Sequence, residues 1–362
     1  MPTIPATIVP HPTTHWSMLA DGRLQCDVCP RECRLQEGQR GACFVRGREQ
    51  DQIMLYSYGR SSGFCLDPIE KKPLNHFLPG SSVLSFGTAG CNLSCKFCQN
   101  WDISKSREMD TLMDAAGPEQ LAQTAKGMGA ASIAYTYNDP VVFMEYATDV
   151  AQAAHELGVK SVAVTAGFMK AAARTAFYRH MDAANIDLKG FTDRFYRQLC
   201  GASLGNVLET LEYVHNETKT WLEITTLLIP GENDSPQEIE AMTRWIADHL
   251  GPDVPLHFTA FHPDHKLDKH LPTPAATLSM ARRIAQEQGL HHVYTGNVHD
   301  ETGGSSFCTG CGTRVIGRDW YELRHWHLSA EGNCLSCNTP LPGLFNGAPG
   351  KWGHKRIPVR IT

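Results

Sequence analysis

Three cysteines stand within eight residues in the run Cys91-Asn-Leu-Ser-Cys95-Lys-Phe-Cys98. The short apolar segment 83–86 precedes this run, which predicts a strand that ends in a cysteine-bearing loop. Thiolates are soft ligands that suit iron–sulfur clusters, zinc or copper(I). Three of them in one loop can hold three corners of a [4Fe–4S] cubane and leave its fourth iron open. The other interpretations are a zinc site completed by a distant fourth ligand, or buried structural thiols.

Two further cysteine groups flank this run. The N-terminal group has four thiols in eighteen residues, and the C-terminal group consists of two C-x2-C knuckles 22 residues apart, which is typical of a zinc ribbon. Such spacing indicates metal binding in a reducing compartment rather than disulfides. The groups are Cys26, Cys29, Cys33 and Cys43, and Cys308, Cys311, Cys334 and Cys337.

The cysteine spacing alone does not identify the metal in either flanking group. For the N-terminal four we expect a closed structural site, with zinc or an auxiliary iron–sulfur cluster in it, and the alternative is a three-thiolate site with an open position for substrate. For the C-terminal four we expect structural zinc, with an electron-relay cluster as the alternative. The two remaining cysteines, Cys65 and Cys200, are predicted to be buried small side chains.

The charge balance excludes several classes of partner. The chain has 33 basic and 38 acidic residues, a net charge of −5, so it lacks the polybasic character of proteins that bind nucleic acid or anionic membranes. No apolar stretch approaches the ~20 residues that span a bilayer. Residues 1–19 lack the basic and apolar regions of a secretory signal. We therefore expect a cytoplasmic protein without membrane or nucleic-acid partners.

From residue 83 onward, short apolar runs alternate with amphipathic ones, which predicts β/α units and a parallel sheet. Six such repeats after the entry strand suit an α/β fold with an open, partial (β/α)6 barrel, and 292–296 adds a further strand. The predicted strands are 83–86, 132–137, 161–165, 185–188, 222–228 and 256–261, and the predicted helices are 119–128, 141–157, 171–180, 207–217, 236–250 and 277–288.

We expect four regions along the chain. They are an N-terminal cysteine-rich extension (1–80), the barrel (81–300), a zinc-ribbon-like region (301–345) and a tail (346–362) that is either flexible or docked on the barrel. The stretch 67–80 contains three prolines and is predicted to be irregular. Within it, Lys71, Lys72 and His76 are predicted to face solvent rather than substrate.

The central run, with Phe97 just before its last cysteine, resembles the signature of the radical S-adenosylmethionine (SAM) superfamily. The resemblance implies that the open iron chelates the amino and carboxylate groups of SAM. It also implies that an electron from the cluster cleaves SAM to a 5′-deoxyadenosyl radical, which abstracts hydrogen from a substrate. A low-potential donor of the flavodoxin or ferredoxin type would supply that electron.

Further candidates lie where parallel strands end, the usual place for ligands in such sheets. Asn138 and Asp139 follow the second strand, where related activases carry a glycine- and glutamate-bearing SAM motif; they could bind SAM, cap the next helix, or do both. Gly167 follows the third strand and would let a ligand approach the backbone. Related sequences often have asparagine at the neighbouring position, Ala166.

Asp187 and Lys189 alternate with apolar residues on the fourth strand, so they are expected to share one face. Such a pair suits a dipolar ligand such as SAM and resembles the Asp-Leu-Lys of glycyl-radical-enzyme activases. His262 follows the sixth strand, where those activases have a SAM-contacting histidine, and it is our candidate for that role.

Together these features resemble the pyruvate formate-lyase-activating branch. The segment Cys26-Asp-Val-Cys29-Pro-Arg-Glu-Cys33, the stretch Asp67-Pro-Ile-Glu-Lys-Lys-Pro-Leu74 and the ribbon resemble the AmmeMemoRadiSam-system subgroup. That resemblance implies association with Memo-like and AMMECR-like proteins and leaves the substrate open. Two alternatives remain: an activase that acts on a protein glycine, and a zinc-ribbon binding protein without redox chemistry.

Overall fold

The computed structural model describes residues 10–105 and 114–361, and its centre is a nine-stranded sheet. Along the sheet the order is β8-β7-β6-β5-β4-β3-β2-β1-β9, in which β2 to β8 are parallel, β1 pairs antiparallel with β2, and the edge strand β9 pairs antiparallel with β1. The strands are β1 Phe64–Pro68, β2 Ser82–Phe86, β3 Ser132–Tyr135, β4 Lys160–Thr165, β5 Ala183–Asp187, β6 Trp221–Leu228, β7 Leu256–Ala260, β8 Val293–Gly296 and β9 Ile357–Val359.

Amphipathic helices connect the parallel strands. The helix Pro236–Leu250 shows why: the Ser235 hydroxyl accepts the Glu238 amide at its start, a proline occupies its first turn, and it buries Ile239 and Ile246. In the described ranges the longer helices are α1 Pro118–Gly127, α2 Met144–Glu156, α3 Ala171–Tyr178, α4 Leu204–Glu217, α5 Pro236–Leu250 and α6 Ala275–Glu287. Short helical turns lie at Ile69–Lys71, Trp101–Ser104, Pro140–Phe143, Asp193–Phe195, Tyr196–Cys200 and Glu301–Gly304.

The predicted order of strands and helices is confirmed, with three differences in detail. The strand predicted to reach residue 137 ends at Tyr135, because the chain turns there and Tyr137 adopts a positive φ of 69°. The predicted helix 141–157 starts as the 3-10 turn Pro140–Phe143 before α2. The first two residues of the supposedly irregular stretch 67–80 complete β1, a strand that the sequence did not predict.

Smaller sheets flank the main one. The N-terminal strands are His11–Pro12, Trp16–Met18, Leu24–Cys26, Arg34–Leu35, Arg46–Glu49, Gln52–Leu55 and Arg60–Ser61, the last paired with Asp114–Ala115. Near the C-terminus an antiparallel sheet is formed by Ser306–Phe307, Arg314–Asp319 and Glu322–Trp326. We call this sheet and the four C-terminal cysteines the ribbon. Beyond the ribbon the tail docks on the barrel, because β9 pairs with β1.

None of the helices in the described ranges is long and apolar enough to cross a bilayer. Of the N-terminal segment for which we predict no secretory signal, residues 1–9 lie outside the described residues.

Candidate active site

A cavity of about 1120 Å³, including its open mouth, lies at the carboxyl ends of the parallel strands. Cys91, in the loop after β2, and Asn297, just after β8, both line it. These residues belong to opposite ends of the parallel strand order, so the sheet must curl around the cavity. The result is the open, partial (β/α)6 barrel that the sequence predicts.

All three cysteines of the central run line this cavity, together with Phe97. Cys95 and Phe97 are buried, and Cys91 and Cys98 are partly buried. The Leu93 amide lies 3.4 Å from the Cys91 Sγ and donates to it, which is the kind of contact that stabilises a metal-bound thiolate. The structure thus brings the predicted cluster ligands into one loop at the barrel mouth.

Residues distant in sequence hold this loop in place. The Asn138 side chain accepts the Thr88 amide at 2.9 Å and donates to the Gly90 carbonyl at 2.8 Å. From the other side, the Ser94 amide donates to the Cys200 carbonyl at 2.8 Å. Asn138 therefore lines the cavity, but its side chain is committed to shaping the cysteine loop.

Asp139 is buried and joins the ends of two strands. Its carboxylate accepts the Val141 amide at 3.1 Å, the Thr165 hydroxyl at 2.8 Å and the Ala166 amide at 3.0 Å. The capping role predicted for this residue is confirmed. Burial raises the pKa of the Asp139 carboxyl despite these donors. Since it also lines the cavity, a ligand there would meet a carboxyl group held by three hydrogen bonds.

Asp187 and Lys189 lie together on the cavity wall, with Lys189 Nζ 2.8 Å from the Asp187 carboxylate. Burial opposes the charge on Lys189, but the Asp187 carboxylate outweighs it and the pKa of Lys189 lies well above its usual value. A fixed ammonium therefore faces the region of the cysteines.

The Cys95 thiol has a second thiol beside it. A hydrogen bond from Cys200 lowers the pKa of Cys95 to about 7; burial opposes this shift, and Lys189 and Lys105 add to it. For Cys91, burial and then Asp139 raise the pKa above its usual value. Cys200 and Cys65 are buried, as predicted.

Two predicted site residues lie away from the cavity lining. At Gly167 (φ +66°), a Cβ would meet the side chains of Ile186 at 3.0 Å and Thr210 at 3.3 Å, so the missing side chain leaves room for core packing rather than for a ligand. His262 is exposed, because the buried Phe261 takes the inward position and neighbouring residues of an extended chain face opposite ways.

Several polar cavity residues were missed by the sequence reasoning. Thr225 lines the wall from the middle of β6, and Thr259 and Asn297 line it at the carboxyl ends of β7 and β8. The Thr225 hydroxyl is buried and has no hydrogen-bond partner in the part of the chain that the structure describes. For Thr259 and Asn297 the available signal was their place near the carboxyl ends of predicted strands, where polar side chains face ligands.

A second cavity of about 770 Å³, including its opening, adjoins the first and shares Pro73, Thr259 and Asn297 with it. Its far wall comes from the ribbon, through Arg318 and Trp320. Polar and charged groups of the barrel and of the segment before it, among them His257 and Lys71, complete it. The barrel mouth therefore has two neighbouring compartments with Pro73, Thr259 and Asn297 in common.

The ribbon cysteines form a compact group. Cys308 and Cys337 are 3.4 Å apart between sulfurs, and Cys311 and Cys334 are 3.8 Å apart. All four sulfurs lie within 4.8 Å of one another, so they could hold one metal ion. For one zinc ion with tetrahedral Zn–S bonds, sulfurs stand about 3.8 Å apart, which fits these distances.

Comparisons with known proteins find one matching family and a relative that aligns with most of the chain. The family model described as the radical SAM superfamily matches residues 86–246. The uncharacterized protein MJ0808 of Methanocaldococcus jannaschii is 37% identical over 327 residues, which cover 90% of this chain and 97% of that protein.

Solved structures also align with this chain. A radical SAM methyltransferase from Sphaerobacter thermophilus aligns with a TM-score of 0.48 at 13% identity, over 79% of this chain and 76% of that one. A domain of a pyruvate-formate lyase-activating enzyme from Bacteroides vulgatus aligns over its full length and 46% of this chain, with a TM-score of 0.41 and 18% identity.

Proposed function

The chain belongs to the radical SAM superfamily, and on that premise we propose that it holds a [4Fe–4S] cluster on Cys91, Cys95 and Cys98 and cleaves SAM reductively. The observation that carries the proposal is that the three thiols and the polar strand ends meet in one cavity. When bound, the cluster and SAM supply a 5′-deoxyadenosyl radical that abstracts hydrogen from a substrate.

The side chains that line the cavity suit a bound cluster and SAM. The Lys189 ammonium would offset the negative charge of a thiolate-bound cluster, and Asp187 beside it offers a carboxylate to a cationic or hydroxyl group of SAM. The unpartnered Thr225 hydroxyl gives SAM a further hydrogen-bonding group. Phe97 and Leu93 make part of the wall apolar, which limits water at the thiols.

We assign the second cavity to the substrate, because it adjoins the SAM cavity and shares Thr259 and Asn297 with it. Its polar lining suits a polar substrate or a polar segment of one. The ribbon would hold one structural zinc ion and form a wall of this compartment through Arg318 and Trp320.

We further propose membership of the AmmeMemoRadiSam-system subgroup, which the residues of the 26–33 and 67–74 segments support. The expected partners are then Memo-like and AMMECR-like proteins and a flavodoxin- or ferredoxin-type electron donor.

The test is 5′-deoxyadenosine formation by anaerobically purified and reconstituted protein given dithionite and SAM. We expect wild type to form it and Cys95→Ala to form none, because that change removes one of three cluster ligands. Cys65→Ala is the matched control, since Cys65 is equally buried but lies on β1, outside the cavity lining.

Retained cleavage in Cys95→Ala would overturn the assignment of the cluster ligands. A wild-type protein that binds zinc but neither iron nor sulfide, and cleaves no SAM after reconstitution, would instead be a zinc-stapled binding protein.

A further inference from the structure

The four N-terminal cysteines surround a small cavity of their own, of about 360 Å³. Cys26 is buried and the other three are partly buried. Two apolar residues at the start of the α2 region, Val141 and Val142, close one side. The thiols are therefore gathered around an enclosed space rather than scattered along a surface loop.

These thiols are spaced differently from those of the ribbon. Among residues 10–105 and 114–361, the ribbon cysteines are the one group of three or more possible ligands whose atoms all lie within 4.8 Å of one another. A single zinc ion draws its four sulfurs to about 3.8 Å from one another. A cubane places one cysteine at each of four separate irons, so its thiolates stand farther apart. The N-terminal thiols form no such close group, so they are spaced more widely than the ligands of one zinc ion, as a cubane requires.

The lining also carries positive charge. Arg46 is buried and pairs with Glu145, while Arg31 donates to the backbone carbonyls of Asn92 and Gly201. Both arginines line the cavity. Since four thiolates make any bound cluster anionic, two guanidinium groups beside the cavity favour its occupation.

This cavity lies against the loop of the central cysteines. A Cβ on Gly90 would stand 2.1 Å from the Cys43 carbonyl oxygen, so these two backbones are in contact one residue before Cys91. Asn92, one residue after Cys91, lines the N-terminal cavity itself. Arg31 ties the two loops together through the Asn92 carbonyl.

We propose that Cys26, Cys29, Cys33 and Cys43 bind a second [4Fe–4S] cluster next to the SAM-cleaving one. With four protein ligands it has no open iron, so its chemistry is one-electron transfer: a reduced donor of the ferredoxin class loses one electron and the cluster gains it. The binding site stands independently of the proposed function, and its position beside a SAM-cleaving cluster rests on that function.

Metal and sulfide analysis of the reconstituted full chain tests the site. We expect roughly eight irons, eight sulfides and one zinc per wild-type chain, and roughly four irons in the C91A/C95A/C98A variant. A wild type with roughly four irons and two zincs, or with roughly six irons as for a [2Fe–2S] cluster, would overturn the proposal. If the N-terminal site exists but the central one does not, wild type and this variant will both hold roughly four irons.

Electron paramagnetic resonance tests the position. We expect the spectrum of dithionite-reduced wild type to show spin coupling that is missing from the summed spectra of C91A/C95A/C98A and C26A/C29A. A wild-type spectrum equal to that sum would overturn the adjacency. If C26A/C29A does not fold, iron analysis still tests the N-terminal site, because wild type should hold twice the iron of C91A/C95A/C98A.

Discussion

The ribbon and the barrel mouth both gather cysteines, but they do so by different means. In the ribbon, two knuckles repeat the same backbone pattern: the amides of Cys308 and Cys334 donate to the carbonyls of Thr313 and Thr339, five residues on. A small separate core of Val315, Ile316, Leu328 and Leu341 supports them. The ribbon site is therefore specified by residues close in sequence.

The barrel mouth depends on distant contacts instead. Its loop is held by Asn138 from the β3 end, by the Cys200 carbonyl, and by Arg31 from the N-terminal extension. Such a site can form only when the barrel has folded, whereas the ribbon has too small a core to fold without its metal. The difference predicts that metal removal unfolds the ribbon but leaves the barrel folded.

Substitution of a buried ribbon cysteine should have the largest effect on folding. We expect Cys334→Ser to abolish zinc binding and to unfold the ribbon, because apparent binding free energies of ~10–16 kcal/mol stabilise structural zinc sites. Hydrogen exchange of the 314–326 strands, with zinc and iron analysis, measures this. The iron content should match that of Cys65→Ser; protected ribbon amides without zinc would contradict the expected dependence on metal.

Two glycines with positive φ, one in the barrel mouth and one in the ribbon, allow a finer comparison of how tightly the two regions are packed. A Cβ at Gly90 (φ +78°) would run into the Cys43 carbonyl, whereas one at Gly312 (φ +74°) of the ribbon meets nothing within 4 Å. We expect Gly90→Ala to cost about 2–5 kcal/mol of unfolding free energy, from conformational strain plus overpacking. Gly312→Ala should cost about 1–2 kcal/mol, from strain alone.

Urea unfolding of the two glycine variants, each assigned to barrel or ribbon by hydrogen exchange, provides the measurement. Asn338 adopts φ 64° at the matching place in the second knuckle, which shows that a side chain is accepted there. Equal losses in both variants would show that the Gly90–Cys43 contact does not restrict the loop.

The same contrast explains what the sequence could predict. The ribbon cysteines were predicted from spacing because their site is local, and the barrel strands were predicted because each buries a short apolar run. Strand β1 was missed because its partners, β2 and β9, lie on either side of it in space but up to 295 residues away in sequence. Long-range pairing leaves little local signal.

The prediction of exposed residues failed where contacts between distant segments bury a charged or polar side chain. We predict Lys72 and His76 to face solvent, yet Lys72 is 3% exposed and pairs with the buried Asp67 at 2.7 Å, and His76 is fully buried. The partners of His76 are the Pro342 carbonyl and the Tyr294 hydroxyl, more than 200 residues away. Nothing in the local pattern distinguishes such residues from solvated ones.

Removal of the Lys189 charge tests the polar wall of the barrel mouth. We expect Lys189→Met to weaken SAM binding to the reconstituted protein about tenfold to a hundredfold, because it removes a partly buried charge-assisted contact and leaves Asp187 unpaired. Lys96→Met, an exposed lysine of the same loop, is the control and should leave binding unchanged. Equal binding by the Lys189 variant and wild type would exclude it from the SAM site.

A pH effect is expected at the junction of ribbon and barrel, where neutral His76 links the Pro342 carbonyl to Tyr294. Burial, then neighbouring His292, lowers the pKa of His76 to about 3, whereas in an unfolded chain it is about 6.5; Glu223 and Arg318 also face it. Between these values the unfolded state binds the extra proton, so stability falls as the pH falls.

We expect His76→Gln to reduce the loss of unfolding free energy between pH 6 and pH 4 by about 1.4 kcal/mol per pH unit, the contribution of one titrating group. Burial likewise lowers the pKa of His292 to about 4, so part of the slope should remain in the variant. Urea unfolding across this range, with the exposed His354→Gln as control, measures the difference. Parallel slopes in His76→Gln and wild type would show that acid weakens the molecule elsewhere, and the ribbon junction would then be insensitive to pH.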